Sequence, residues 1–498
     1  MSRHSGCSNS LPALGVGITY SSSIEPLLES RPALVDVVEV EPQTVWLKTS
    51  NPAQPYRVLD KVLEHLNALP GRKLVHSVGT PVGGTVRPDS NQFAPLRRTI
   101  EHLRAHWASD HLSFNQTPEF STGFFLPPRQ TLDGIATVIT AIRDLQNAIS
   151  VPIAVETGVN YLRPRNDELP DGLFVAQVVD QADCGLLLDL HNVFANGLNG
   201  RQPVDEYLAQ LPLHRVWEMH LAGGMELDGF WLDAHSGAIP DQLFEVAKQV
   251  VPALPNLKAI IFEIFPSFVS VVGLDVIRAQ LERLHELWAL RRPGTHSGFA
   301  ERNVLQLAPI KTSDPATPAV WERALGKLVT GQPPDDEFGR ELQSDPGVAL
   351  VQGLIKEFRA SMVVGVLRLT SRLLMLALGP SVFRGLLSDF WTKAPPQQFS
   401  SQEADNFAEY LTKLDLKVPQ LSKTLEFERA ATATLIDGLP RVISFDADPL
   451  PLLRALAEGR LPDAPLQPGH FEIEVTADGP ISATGLDLRD VQQAFPFH

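Results

Sequence analysis

The strongest constraint on the fold of this chain is an alternation. Within the first 265 residues there are eight short apolar runs: LGVGIT (14–19), VDVVEVE (35–41), KLVHSV (73–78), SDHLSF (109–114), PIAVET (152–157), GLLLDL (185–190), RVWEMHLA (215–222) and KAIIFEI (258–264). Each is bounded by turn residues or followed by helical periodicity, as in the segments 56–69, 93–107, 132–149 and 239–251. Strands and helices alternating eight times predict an α/β fold, a (β/α)8 TIM barrel. The polar residues of these runs gather near their C-terminal ends: Glu39 and Glu41, His76, Asp110 and His111, Glu156, Asp189, His220, Glu263. In a barrel those ends meet on one face, where the loops build the active site.

His191 and Asn192 follow Asp189 in LLLDLHN, and Asp233 and His235 lie beyond the seventh run. Together these side chains form a nitrogen and oxygen donor set without thiolate, which suits iron, manganese or zinc. The set exceeds what one ion can use, so two or three ions bridged by carboxylate are expected. A single histidine at a strand end is ordinarily a hydrogen-bonded structural residue; recurrence at equivalent ends changes that, because burying many ionisable groups together without a metal is costly. Asp110, His191, Asn192, Glu39 and Glu41 are expected as additional ligands or as supports behind them. His4, His65, His102, His106, His214, His285 and His296 lack strand-end positions, and Cys184, ahead of an apolar run, reads as core.

Composition narrows the function. The chain has 498 residues and 44% hydrophobic content, enough for two to four domains. Residues 1–300 carry 23 basic and 32 acidic residues and residues 301–498 carry 19 and 26, for a net charge of -16, so no nucleic-acid partner is expected. Two cysteines in unlike contexts give neither a disulfide framework nor a CxxC site, and the first residues show no targeting pattern; a cytoplasmic protein is expected. The apolar stretch 362–378 holds Arg368 and Arg372 on one weakly polar stripe, which predicts a packed helix rather than a membrane span.

Residues 291–345, rich in Pro, Gly and Asp, read as a linker with one helix around 319–329. Residues 346–498 read as a mainly helical domain, with segments at 351–378, 381–391 and 401–414 and Ser401 as an N-cap. It ends in short strands at RVISFD (441–446) and HFEIEVTADG (470–479).

Across residues 11–290 the motifs GVGITY, VEVEP, VHSVG, SDHLSF, ETGVNY, LLLDLHN, EMHLAGG, LDAHSG and FEIF occur in one order. In them the chain resembles the multinuclear non-heme iron-dependent oxidative enzymes, the family of the methanobactin biosynthetic oxidase. The resemblance implies a TIM barrel over 1–290 holding two or three irons of mixed Fe(II)/Fe(III) state. It implies dioxygen as co-substrate and a ribosomally made precursor peptide, oxidised at a cysteine or another side chain. It further implies His76, His111, Glu156, Asp189, His220, Asp233, His235 and Glu263 as metal ligands, with Glu156 and Asp189 as the catalytic carboxylates that bridge and tune the irons. Two departures stand out: Thr157 where the family often has Asn, and Gly224 where it often has His. The C-terminal part resembles the helical partner proteins of these oxidases, which implies a fused domain that recruits the peptide. Two other readings use the same residues: a divalent-metal isomerase or phosphodiesterase, and a metal-binding scaffold without catalysis.

Overall fold

The computed structural model describes residues 11–294, 316–477 and 479–482; His4, Cys7 and the part of the expected linker from 295 to 315, with His296, lie outside them. The eight apolar runs form the eight strands of one closed barrel. They are β1 (Gly15–Thr19), β2 (Val37–Val40), β3 (Arg72–Ser77), β4 (Ala108–His111), β5 (Ile153–Glu156), β6 (Gly185–Asp189), β7 (Val216–Ala222) and β8 (Ala259–Glu263). All neighbours are parallel and in sequential order, with β8 closing on β1.

Side-chain alternation divides the barrel interior into two levels. Val37, Leu74, Ala154, Leu187 and Ile261 pack with Trp107 and Trp217 into an apolar plug. Two residues further along the same strands, on the same face, stand Glu39, His76, Glu156, Asp189 and Glu263. The period-two register thus turns a greasy floor into an ionisable ceiling within one step. Gly17 on β1 is required by close approach, because a Cβ there would come within 2.3 Å of the Val37 carbonyl oxygen.

Several local expectations are corrected. The segment expected as helix from 56 begins as a strand, Tyr56–Val58, paired with Trp46–Lys48, and the helix starts only at Asp60. The stretch 362–378 is not one helix: Pro346–Val366 and Arg368–Leu378 are bent by 107° at Leu367. The buried Glu428 carboxylate makes that break tolerable, accepting the Leu369 and Thr370 backbone N–H groups at 2.6 and 2.8 Å, donors that a new helix start leaves open. No single helix among the described residues is long and apolar enough to cross a membrane. Ser401 is not an N-cap; its helix runs from Ser400 to Thr412 with Phe399 at the cap position. The strand expected at 470–479 runs from Pro468 to Thr476 and is the middle of its sheet, flanked by Arg441–Ala447 and Gly479–Ser482.

The helix expected near 319–329 is present as Pro318–Val329, followed by Glu337–Gln343. It does not hang free. Trp321, Leu325 and Leu328 pack with Val351 and Ile355 onto Phe114, Leu126, Tyr161, Leu162 and Leu232, residues of the loops that follow β4, β5 and β7. A separate core, with Phe383, Phe390, Phe407, Phe427 and Phe445, holds the C-terminal helices and sheet.

Candidate metal centre

The ionisable ceiling is one connected cluster. His76, His111 and Glu156 form a first group of converging donors; Glu156, Asp189, His220 and Glu263 a second; Asp189, Asp233 and His235 a third. Barrel register explains the convergence, since His111 lies beside Glu156 and Asp189 beside His220 across adjacent strands. His76 Nε2 and His111 Nε2 lie 3.3 and 3.1 Å from the same Glu156 oxygen, and His220 Nδ1 lies 3.1 Å from Glu263. His235 Nε2 sits 2.8 Å from Asp233 and 3.4 Å from Glu263. His235 adopts a left-handed backbone, φ 43°, a conformation that costs a non-glycine residue about 1–2 kcal/mol.

Close approach here is only in part hydrogen bonding. Nine buried atoms in this mouth, on Glu39, Glu156, His191, Asn192, Glu218, His220, Asp233, His235 and Glu263, have no hydrogen-bond partner among the described residues. Leaving one such atom unsatisfied ordinarily costs about 1–3 kcal/mol. Donor atoms that crowd together and yet miss each other's hydrogen-bond directions are arranged around shared points, as ligands are. The donor set, imidazole and carboxylate without thiolate, fits ions of the iron, manganese or zinc kind.

Electrostatics point the same way. Burial pushes the His76 and His235 imidazoles down, but Glu156 for the first and Asp233 for the second outweigh it and hold both up at about 10. Burial raises Glu156 less than the imidazoles of His111 and His76 lower it. Asp189 is raised well above the carboxylate range by burial and by the neighbouring carboxylates of Asp233, Glu263 and Glu156. The His220 imidazole only partly offsets three neighbouring carboxylates, and a cation shared between them would supply the missing counter-charge.

The additional candidates divide by what they touch. Asn192 donates its N–H and its side-chain amide to the two Asp189 oxygens at 2.8 Å each, and so aims that carboxylate. Asp110 is engaged by Thr80 and by the His111 backbone N–H at 2.7 Å and joins no donor group. Glu41 is half-buried just beyond β2 and also stands outside them, whereas Glu39 lies 3.2 Å from His220 Nε2. Glu218 went unnoticed in the sequence reading: it is fully buried, accepts the Trp107 indole N–H at 2.8 Å, and groups with Glu39 and His220. Its signal was available, two residues before His220 on one strand and therefore on the same face. Cys184 is buried core, its thiol pushed up to about 12 by burial.

Both departures from the family pattern have a structural use. The Thr157 hydroxyl accepts the Asp189 backbone N–H at 2.9 Å and donates to the Asp189 carbonyl at 3.2 Å, which clamps β5 to β6. At Gly224 a Cβ would come within 2.4 Å of Trp231 Nε1 and 2.7 Å of His191 Nε2. The indole donates to His191 Nε2 at 3.1 Å and so fixes the ring with Nδ1 3.2 Å from Asp233. His191 is thereby set against Asp233. His191→Ala is expected to weaken metal binding at the Asp233–His235 group by about 10–100-fold with the barrel still folded, which metal titration and circular dichroism would check.

The barrel half of the chain matches known proteins in sequence. The model of the family described as "RiPP precursor modification enzyme MbnB/TglH/ChrH" matches residues 14–268. A UPF0276 protein of Chromobacterium violaceum is 33% identical over 177 residues, covering 36% of this chain and 64% of the relative. Relatives from Streptomyces avermitilis and Caulobacter vibrioides are 28% and 26% identical, covering 47% and 54% of this chain and 48% and 91% of their own length. The chain thus spans about two thirds and about half of the first two relatives it matches. Among solved structures, endonuclease IV from Thermus thermophilus aligns with 54% of this chain and 99% of its own at 17% identity and a TM-score of 0.34. The matched residues begin just before β1 and end just after β8, taking in the whole barrel and every donor group at its mouth, and the chain belongs to the RiPP precursor modification enzyme family MbnB/TglH/ChrH.

Proposed function

We propose that this chain is a multinuclear iron-dependent oxidoreductase that uses dioxygen to modify a ribosomally made precursor peptide, at a cysteine or another side chain, and that residues from about 346 onward recruit that peptide. The carrying observation is the set of nine buried donor atoms, gathered in one barrel mouth, that have no hydrogen-bond partner among the described residues. Family membership supports the peptide substrate.

His76, His111 and Glu156 would hold one ion, Glu156, Asp189, His220 and Glu263 a second, and Asp189, Asp233 and His235 a third. Because Glu156 and Asp189 each belong to two groups, each could serve two ions and would then bear most on the reaction. Bound there, iron would supply the electrons and Lewis acidity that an oxidation by dioxygen needs. The protein's own part is orientation. Phe125 stacks on His111 with ring centroids 4.0 Å apart and Phe265, itself 44% exposed, lies against His235 at 4.6 Å, so each imidazole has an apolar ring against it. Glu39 accepts from or donates to the far nitrogen of His220 according to its proton, and fixes the ring so that Nδ1 faces the second group.

The test is metal and mass together. Purified under low oxygen, the protein is expected to carry more than one iron per chain, and a short peptide encoded beside its gene should change mass on co-expression in air. A single tightly held zinc with no change in peptide mass, or turnover of a sugar or of abasic DNA, would overturn the reading.

A further inference from the structure

Away from the metal centre, a cavity of about 730 Å³ opens between the barrel and the appended helices. One wall is the turn of the hairpin Trp46–Lys48 and Tyr56–Val58; the other is made by the helices Ser400–Thr412 and Leu421–Asp437 and by the break at Leu367. Its volume lies in the range of ligand clefts.

The lining is charged against the trend of the chain. Lys48, Arg57, Arg429 and Arg441 face two carboxylates, Asp405 and Asp437, an excess of two positive charges in a protein whose net charge is -16. Arg429 is paired with Asp405 at 2.7 Å and Arg441 with Asp437 at 2.5 Å. Among the described residues Lys48 and Arg57 are in no ion pair; Arg57 donates to the Leu435 carbonyl at 3.0 Å, and Lys48 lies 5.8 Å over the Phe399 ring. Both side chains are half-buried, so their charges are less screened than those of fully exposed lysines and arginines. Hydroxyl and amide groups of Thr49, Asn51 and Gln402 add donors to the same walls.

Position gives the cavity a purpose. Phe399, next to the lining residues Ser401 and Gln402, packs on Tyr56 at 5.6 Å, and Gln398 donates to the Gly79 carbonyl at 3.0 Å. Gly79 is three residues beyond His76. A short segment of chain therefore lies between the cavity and the strand end that carries a proposed metal ligand. A peptide held in the cavity would present its continuation to the barrel mouth at high effective concentration.

We propose that this cavity binds an acidic segment of the peptide substrate, with Lys48 and Arg57 as the cations that take its carboxylates. The proposal rests on the peptide-modifying reading given above, and the experiment separates the two. Fluorescein-labelled hexaglutamate is titrated with the full-length, metal-loaded protein and followed by anisotropy, beside hexalysine and a short oligothymidylate. Hexaglutamate should bind, weaken as salt is raised, and lose at least about tenfold in affinity in the Lys48→Glu/Arg57→Glu variant, since each reversal turns an attraction into a repulsion. Lys48→Met, which leaves the Arg57 contact to Leu435 in place, should lose about threefold and keep the same thermal midpoint. Unchanged affinity in both variants, or equal binding of hexalysine or oligothymidylate, overturns the proposal. So does an unchanged KM for a modified precursor in the double variant. Charge-dependent hexaglutamate binding in a protein that modifies no peptide supports the cavity and overturns the reading of the reaction.

Discussion

Glu156→Ala is expected to strip the protein of most of its bound metal and to abolish peptide modification. One Glu156 oxygen is approached by both His76 and His111, and the residue belongs to two of the four donor groups, so its loss opens two coordination sites at once. The effect should exceed the roughly 10–100-fold in metal affinity that loss of a supporting residue costs. Elemental analysis of the variant reads it directly. The metal-free variant offers a second measurement: Glu156 is the largest influence raising His76, so without it the imidazole should titrate well below its present value of about 10. Following the His76 ring by NMR across pH 6 to 10 checks that shift, with the sign set by removal of an anion beside a cation. Retained iron and an unshifted imidazole would take Glu156 out of the centre.

Trp321→Ala is expected to destabilise the protein by about 3–5 kcal/mol, read as a lower denaturant midpoint. Trp321 is 1% exposed, donates its indole N–H to the Pro127 carbonyl at 2.9 Å, and lies 5.3 Å from the Arg129 guanidinium. The next residue, Glu322, is fully buried and accepts the Thr85 backbone N–H at 2.8 Å. Truncating the tryptophan would thus loosen the attachment of this helix to the barrel loops as well as leave a void. Loss of that attachment reaches the metal centre by one identifiable route. Tyr161 packs in the same core, and its hydroxyl accepts the Asp233 backbone N–H at 3.0 Å. Metal held by Asp233 and His235 should therefore be lost from the variant before metal held by His76, His111 and Glu156. Simultaneous release from all groups would show that the route through Tyr161 is not the connection. The same packing bears on cutting the chain between 295 and 315, since a barrel released there would expose Phe114, Leu126, Tyr161, Leu162 and Leu232.

All eight barrel strands and the residues at the barrel mouth could be read in advance, and for one physical reason. Strand identity is local, set by runs of apolar residues between turns, and a parallel barrel places the C-terminal ends of all its strands on one face without further information. His76, Glu156, Asp189 and Glu263 could be placed together for that reason alone. Glu218 could have been placed with them by the same period-two rule, but it lies in the middle of a strand, where a buried carboxylate ordinarily has no place.

Only contacts between segments distant in sequence decided the remainder. Which of Asp110, His191, Asn192, Glu39 and Glu41 supports a neighbour depended on side-chain direction, and a hydrogen bond from Trp231, 40 residues away, set the orientation of His191. The break at Leu367 depended on Glu428, 59 residues beyond Leu369, whose carboxylate receives the backbone donors of a second helix start. Strand order in the C-terminal sheet, which makes Pro468–Thr476 central, has no local signature because an alternating strand reads alike at an edge or in the middle. Residues 316–345 look like linker by composition, and only packing against the barrel loops reveals them as part of the structure around the mouth. Local pattern carries the period of each element; the energy that selects partners comes from burial and hydrogen bonds made after the chain has closed on itself.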